Sequence, residues 1–298
     1  MSERGAIPAR AAALLGVLTL VWGTNWPLFP LATREVSVWT FRAVALVVAG
    51  LAVLGTARLR GLPLGVPREH RGTLVAATVF NLVVWNIATA YAAILIPSGQ
   101  AAILGFTMPL WLALISWAVL GDPLDRRMCL AIALGAGAVG LLMLDGAQAY
   151  ALAPLGFSLG LLAGLCWAVG TLVLKRRPVT VPALVASGWM LLLAAVPTVA
   201  AALVLGEGPW FWPSWGSVLV IAYIALVPMS VGNVAWFAIV GLLPAPVAAL
   251  SSILVPVVAM LSGALVHGEP LGLLQWGAIA CSVGGLSLAL LKPATSSR

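Results

Sequence analysis

Long apolar stretches, separated by charged residues or short turns, make up most of this chain. A membrane-spanning helix needs about 20 apolar residues, and the intervals between charged side chains supply runs of that length. Two intervals, 72–121 and 208–268, are long enough for two helices, and each contains a proline-containing turn. The pattern predicts an all-α protein with ten spans near 9–30, 36–56, 73–95, 98–120, 128–144, 155–174, 183–205, 215–241, 246–266 and 271–291.

Composition agrees with a polytopic membrane protein. Apolar residues make up 62% of the chain and charged residues 8%, a balance that soluble domains do not show. The loops between the predicted spans are too short for a soluble domain, so we expect the function to lie within or across the bilayer. We expect the first span to be retained, because a small-residue cleavage site does not precede its polar end.

The chain also repeats itself. Shifting residues 97–144 by 147 positions places them on 244–291, with Pro109 on Pro256 and Gly121-Asp122-Pro123-Leu124 on Gly268-Glu269-Pro270-Leu271. This predicts two repeats, 1–145 and 146–298, of five spans each. Because five is odd, the two repeats would cross the membrane in opposite directions, as in many secondary transporters.

Charge distribution predicts the orientation. If the N-terminus is cytoplasmic, thirteen of the fifteen Lys and Arg residues lie on the inner side, and only Arg34 and Arg42 do not. The positive-inside rule therefore places both termini in the cytoplasm. The net charge of +7 is explained by this asymmetry, and we expect no nucleic-acid partner.

Several motifs then indicate a family. The motifs are Leu20-Val21-Trp22-Gly23-Thr24-Asn25 on the first span, Phe41-Arg42-Ala43 at the start of the second, and the duplicated segments from Pro109 to Gly121-Asp122 and from Pro256 to Gly268-Glu269. Together they resemble the paired EamA-type repeats of the drug/metabolite transporter superfamily. The resemblance covers nearly the whole chain and is greatest to bacterial exporters of aromatic and other amino acids.

The resemblance implies a multi-pass protein of the bacterial inner membrane, with a central cavity lined by spans 1, 3, 4, 6, 8 and 9. Two departures affect the expected site. The second repeat has Leu165-Cys166-Trp167-Ala168-Val169-Gly170 at the first motif, so the tryptophan is duplicated but Asn25 is not. Asp122 stands where the family usually has glutamate.

Polar side chains inside a bilayer are costly unless they face a partner or a cavity. Asn86 and Asn233 are related by the shift of 147, which would put one amide on each side of a pathway. The alternative is that such amides join helices to each other. The candidate polar substrate-binding residues are Asn25, Asn81, Asn86, Gln100, Ser230, Asn233, Ser251 and Ser252.

Tryptophan occurs thirteen times. Those near span ends are typical of the interfacial belt, but Trp22, Trp85, Trp111 and Trp167 fall near mid-span. They and Met108 are candidates for a cavity wall, where aromatic faces offer apolar area and cation–π attraction to an ammonium group. Packing within the helix bundle is the alternative for each.

Pro109, Pro228 and Pro256 interrupt spans 4, 8 and 9, and we expect each to kink its helix, either as a hinge or as a fixed bend. Apart from Arg10 at the start of the first span, Arg42 is the only charge within a predicted span; it could bind a substrate carboxylate or extend to the interface. No Asp, Glu, Lys or His falls at the centre of a predicted span, so we expect transport to follow the substrate gradient.

The leading hypothesis is an exporter of amino acids, and the alternative is an exporter of cationic drugs or other small metabolites. An enzyme is not expected, because His70 and His267 lie far apart and no GxSxG or HExxH motif is present. The three cysteines have no metal-binding spacing. We expect no catalytic residue, metal or cofactor, and the predicted partners are the amino acid substrate and the lipid bilayer, without a soluble partner protein.

Overall fold

The computed structural model of the chain describes residues 9–96, 98–119, 121, 125–206, 212–243, 252–267 and 271–290. Within these ranges, all regular secondary structure is helical. Eight helical segments are long and apolar enough to cross a membrane. They are α1 (Arg10–Ala32), α2 (Val38–Leu59), α3 (Arg68–Leu95), α4 (Gln100–Ala118), α5 (Arg126–Leu144), α6 (Pro154–Arg176), α7 (Ala183–Leu205) and α8 (Trp215–Leu242).

Two further apolar helices, α9 (Val255–His267) and α10 (Leu273–Leu290), lie at the positions of the ninth and tenth predicted spans. The prediction of an all-helical membrane protein is therefore confirmed. The count of ten spans and the cytoplasmic position of the termini stay predictions.

Side-chain caps fix the start of three helices. Ser37 accepts a hydrogen bond from the Thr40 amide at 3.1 Å, and Asp125 accepts one from the Met128 amide at 2.6 Å. Ser214 does the same for α8. Each cap satisfies a backbone amide that has no partner within its own helix. Because the helices are apolar on all sides, large side chains such as Leu51, Leu155 and Val204 remain exposed on their outer faces, as a lipid-facing surface requires.

The helices pack with a twofold pattern that matches the sequence repeat. Helix α2 packs along α7 and α5 along α10, so equivalent helices of the two repeats contact each other. Helix α1 contacts α8 and α9, and its counterpart α6 contacts α3 and α4. The sequence repeat is therefore a repeat in three dimensions.

A reciprocal contact between glycine and leucine holds α2 against α7. A methyl group built on Gly50 would lie 2.6 Å from the side chain of Leu192, and one built on Gly188 would lie 2.6 Å from that of Leu54. Each leucine thus fills the space that the facing glycine leaves open, which allows the two backbones to approach closely.

Several helices depart from α geometry midway along their length. Helix α1 breaks after Gly23 and resumes as a 3₁₀ turn at Trp26–Leu28. Helices α3 and α8 contain π-helical segments, Val79–Val84 and Ala225–Gly232. Adding 147 to the first segment gives 226–231, inside the second, so this irregularity is part of the repeat.

The prolines of spans 4 and 9 each follow a break in the span rather than lying inside an unbroken α-helix. Pro109 is the second residue of the helical segment Met108–Ala118, which follows a break at Phe106 and Thr107. Pro256 is the second residue of α9 and follows the 3₁₀ turn Ser252–Leu254. Proline fits the first turn of a helix because the amide it lacks would have no partner there. Pro228 lies inside the π-helical segment of α8.

Candidate functional site

A small cavity lies where the irregular parts of the helices meet. Its volume is about 50 Å³, and it is lined from both repeats by α1, α2, α3, α4, α6 and α8. The lining residues are Trp22, Asn25, Trp26, Phe29, Arg42, Leu82, Trp85, Asn86, Phe106, Trp167, Pro228, Met229 and Asn233. The expected lining by spans 1, 3, 4, 6 and 8 is found, α2 also contributes, and no residue of the described part of α9 is among the lining residues.

Aromatic rings from the two repeats form one continuous cluster at this cavity. The centroid of Trp167 lies 5.4 Å from that of Trp22 and 4.6 Å from that of Trp85, in edge-to-face arrangements. Trp236 lies 5.7 Å from both Trp22 and Trp167 and is fully buried. Such contacts each contribute about 0.5–1.5 kcal/mol beyond area burial. One wall of the cavity is therefore formed by packed aromatic rings.

The position of Trp22 depends on the irregular geometry of α8. Its indole Nε1 donates a hydrogen bond to the Pro228 carbonyl at 3.1 Å. A side chain at Gly232 would collide with the Trp22 ring, so only glycine lets the indole lie against the α8 backbone. The motif residue of the first repeat is thus anchored to the second.

The paired asparagines have the same local geometry. Asn86 Nδ2 donates to the Leu82 carbonyl at 2.7 Å, and Asn233 Nδ2 donates to the Met229 carbonyl at 2.7 Å. Both acceptors belong to the π-helical segments, and both asparagines line the cavity. The amide nitrogens are therefore occupied within their own helices, and Asn233 Oδ1 is buried without a hydrogen-bond partner among the described residues.

Asn25 lies at the break in α1, just before the 3₁₀ turn. Its Oδ1 is also buried without a partner in the described part of the chain. The equivalent position in α6 is Gly170, and a side chain there would collide with Asn81. The cavity is therefore asymmetric at this point, with an amide on one side and close helix packing on the other.

Arg42 is a buried cation in the cavity wall. It is only 3% exposed, and its guanidinium carbon lies 4.5 Å from the centroid of Phe29 and 4.9 Å from that of Phe41. Nη2 donates to Thr89 Oγ1 at 3.4 Å, while Nε has no partner among the described residues. The exposure does not fit a side chain that extends to the interface.

The surroundings of Arg42 compensate its charge only in part. A cation–π contact contributes about 2 kcal/mol when desolvated, whereas moving an ion out of water costs several kcal/mol even after relaxation. No carboxylate of the described chain pairs with it. Among the described lining residues it is the single charged group.

Other predicted site residues lie outside the cavity lining. Asn81 is fully buried and donates to the Trp167 carbonyl at 2.9 Å, so it joins α3 to α6. Ser230 Oγ donates to the Ala225 carbonyl at 2.8 Å within its own helix. Trp111 packs against Leu112, Ala168 and Leu172.

The remaining predicted residues are distributed as follows. Met108 is buried in the main core, and Gln100 is half-buried with Oε1 unpartnered among the described residues. Ser252 is fully buried in the 3₁₀ turn before α9. Ser251 lies outside the described residues. The substrate-binding and hinge roles of all these residues stay predictions.

Several lining residues were not proposed from the sequence as substrate-binding groups, among them Trp26 and Phe29. Trp26 follows Trp22 by four residues, a spacing that places both on one face of a helix, and this signal could have identified it. Phe29 follows Trp26 on the same face after the helix break. Arg42 was recognised as the charge within a span, but its direction could not be read from the sequence.

A second cavity of about 390 Å³ opens at the predicted cytoplasmic end of α6, α7 and α8. Its lining includes Arg10 and Lys175, and also Phe237, which follows Asn233 by four residues. One helical turn of α8 therefore separates its lining from that of the first cavity, which we call the aromatic cavity. Lys175 Nζ donates to the Leu243 carbonyl at this end, and we call this cavity the inner vestibule.

Hydrogen bonds join the two repeats at both ends of the bundle. At the predicted outer end, Glu35 accepts hydrogen bonds from the Ser214 amide at 2.7 Å and the Ser214 hydroxyl at 2.6 Å. At the opposite end, His70 Nε2 and Thr180 Oγ1 are 2.7 Å apart, and Trp189 Nε1 donates to the Leu64 carbonyl at 2.8 Å. The cavity between them has room for only a few water molecules.

Comparison with known proteins agrees with this architecture. Residues 10–144 and 154–291 each match the model of the EamA-like transporter family. An uncharacterized transporter of Bacillus subtilis, YvbV, is 23% identical over 274 residues, covering 89% of this chain and 86% of its own. The uncharacterized inner membrane transporter YedA of Escherichia coli K12 is 26% identical, covering 93% and 89%.

Two further similarities bear on function and fold. A probable amino-acid metabolite efflux pump of Escherichia coli K12 is 28% identical over 200 residues, covering 63% of this chain and 66% of its own. A solved crystal structure superposes with a TM-score of 0.76 and 21% identity, covering 94% of this chain and 97% of its own. At that identity, the structural match supports the fold alone.

Proposed function

Because the chain belongs to the EamA-like transporter family, we propose that it exports amino acids, aromatic ones included, from the cytoplasm across a bacterial inner membrane. The chain is a membrane transporter, and the family provides no reason to assign a catalytic reaction. The amino acid substrate and the inner membrane are the parts of this statement that we propose. The names of YedA and of the amino-acid metabolite efflux pump support them.

The observation that carries the proposal is the aromatic cavity between the repeats. Trp22, Trp85 and Trp167 offer apolar faces to a side chain, and burial of apolar area contributes about 25 cal/mol per Å². The unpartnered oxygens of Asn25 and Asn233 can accept hydrogen bonds from an ammonium group. Such a site suits a molecule that is apolar at one end and charged at the other.

A cationic drug is a poorer match. The described lining carries the positive charge of Arg42 and no carboxylate, so a substrate with a net positive charge would be repelled rather than paired. A zwitterionic amino acid adds no net charge. This difference favours amino acids over the alternative of cationic drugs.

The cavity volume bears on the transport cycle. Ligand sites usually measure about 300–1,000 Å³, well above the 50 Å³ found here. Side chains or helices must therefore move before a substrate enters. We propose that the hydrogen bonds at one end of the bundle break while those at the other end remain. The cavity would then be connected alternately to the inner vestibule and to the outside.

The test is counterflow in proteoliposomes. Purified protein, reconstituted with internal phenylalanine, should accumulate labelled tryptophan, whereas protein-free liposomes should not. External tryptophan and phenylalanine should compete better than glycine or alanine. Competition by tetraphenylphosphonium but by no amino acid would overturn the proposal in favour of cationic substrates.

A further inference from the structure

We infer that Arg42 binds the carboxylate of the transported molecule, so that the cavity selects substrates by their carboxylate rather than by their ammonium group. This rests on the proposed function in one respect, that the aromatic cavity is the substrate site. It goes further by naming the group that decides which molecules are accepted.

The first support is the position of the guanidinium. Arg42 is the fifth residue of α2 and could have extended toward the membrane surface. Instead it is buried and lines the cavity, with its guanidinium carbon 4.5 Å from the Phe29 ring centroid and 4.9 Å from that of Phe41. A side chain fixed in this way is oriented before the substrate arrives.

The second support is an unfilled capacity to donate hydrogen bonds. A guanidinium has five N–H groups in a planar fork, and in the described part of the chain the one recorded acceptor is Thr89 Oγ1. Nε is buried and has no partner among those residues. A buried charge is retained in proteins when it is paired, and here the residues that the structure describes supply no counter-ion.

The third support is the match between shapes. A carboxylate is planar, carries one negative charge and can accept two parallel hydrogen bonds from an arginine fork. A single arginine and a narrow aromatic cavity fit one carboxylate attached to an apolar group. A phosphate, with about two charges, would be left with an unbalanced charge.

The experiment measures binding with three molecules that share one ring. Phenylalanine carries both charged groups, 3-phenylpropanoate carries the carboxylate alone, and 2-phenylethylamine carries the ammonium alone. Isothermal titration of the purified protein should detect 3-phenylpropanoate and phenylalanine, with 2-phenylethylamine at least about 10-fold weaker. The opposite order, with the amine bound better than the acid, would overturn the inference.

Variants then identify the residue. Arg42→Gln should weaken phenylalanine and 3-phenylpropanoate about 10- to 100-fold. 2-Phenylethylamine should bind as well as before or better, because a repelling positive charge is removed. Arg34→Gln is the matched control, because Arg34 is exposed and lies eight residues earlier, and it should change none of the three. Equal weakening of all three molecules by Arg42→Gln, or no weakening, would overturn the inference.

Two provisions keep the test decisive. If Arg42→Gln does not fold, Arg42→Lys is used instead, because lysine retains the charge without the planar fork. It should still weaken binding of the two acids several-fold more than binding of the amine. An equal effect on all three would count against the inference. Titration does not require transport, so carboxylate-selective binding without counterflow would overturn the proposed export and leave the role of Arg42 supported. If amino acid counterflow occurs and Arg42→Gln does not alter it, the proposed export would be supported and the role of Arg42 overturned.

Discussion

Asn86 and Asn233 make the same hydrogen bond in the two repeats, each to the carbonyl four residues earlier and each at 2.7 Å. Both bonds end on a π-helical segment, a type of irregularity that is frequent at functional sites. Because each bond stays within one helix, these amides do not join neighbouring helices as polar groups in membrane bundles often do.

Replacing Asn86 or Asn233 by alanine should therefore reduce transport and leave the fold intact. A hydrogen bond to a charged group contributes about 1.5–3 kcal/mol, so each single variant should lower counterflow about 10- to 100-fold. Asn81→Ala is the contrasting variant, since Asn81 joins α3 to α6. Asn81→Ala should lower the melting temperature in detergent. If all three variants lowered it equally, the distinction between cavity asparagines and the helix-joining Asn81 would be contradicted.

Trp167→Ala should impair aromatic substrates more than small ones. The Trp167 ring lies between those of Trp22 and Trp85 in the cavity wall, and an aromatic contact contributes about 0.5–1.5 kcal/mol. The apparent KM for tryptophan should rise about two- to tenfold relative to that for alanine. Trp111→Ala serves as the control, because Trp111 is outside the cavity lining, and the same selective effect there would place the site elsewhere.

Gly50→Ala should destabilise the protein through the contact between α2 and α7. The added methyl group would lie 2.6 Å from Leu192, and overpacking of this kind costs about 1–3 kcal/mol. The melting temperature should fall, and Gly188→Ala should behave alike. Gly55, on the same helix, has no atom within 4 Å of the added methyl group, so Gly55→Ala should be neutral or stabilising.

The Glu35–Ser214 link should weaken in acid. The Ser214 hydroxyl and the Ser214 amide both donate to the Glu35 carboxylate, and these hydrogen bonds hold its pKa below the ordinary value. A lowered pKa contributes stability above the unfolded-state pKa, and this contribution is lost as the pH falls through the folded-state pKa. When the pH is lowered from about 6 to about 3, the melting temperature of the wild type should fall further than that of Glu35→Ala. Equal falls in the two proteins would show that the Glu35–Ser214 link does not contribute to stability.

Transport should depend weakly on an imposed proton gradient. The described lining residues of the aromatic cavity include no Asp, Glu, Lys or His, and proton-coupled transporters ordinarily carry such a group within the membrane. Tryptophan counterflow should change less than about twofold when a proton gradient is applied. Strong stimulation that is lost on replacing Asp122 or Glu269 would show that coupling occurs outside the cavity.

The sequence by itself determined the class of protein, the approximate positions of the helices and the existence of two repeats. These follow from local requirements, because a helix in lipid must be apolar over a fixed length and must satisfy its own backbone hydrogen bonds. The eight described spans lie within a few residues of their predicted positions. Duplication of Pro109 and Pro256 could likewise be read directly from the chain.

Only the tertiary structure decided which side chains share the cavity. A membrane helix that is apolar on all sides has no amphipathic stripe to indicate its buried face, so Asn81 and Asn86 were equivalent candidates in the sequence. Packing against α6 places Asn81 on the Trp167 carbonyl, whereas Asn86 lies at the cavity. The direction of Arg42 was undetermined for the same reason, since its guanidinium packs against Phe29 of α1, whose ring lies 6.0 Å from that of Phe41 on α2.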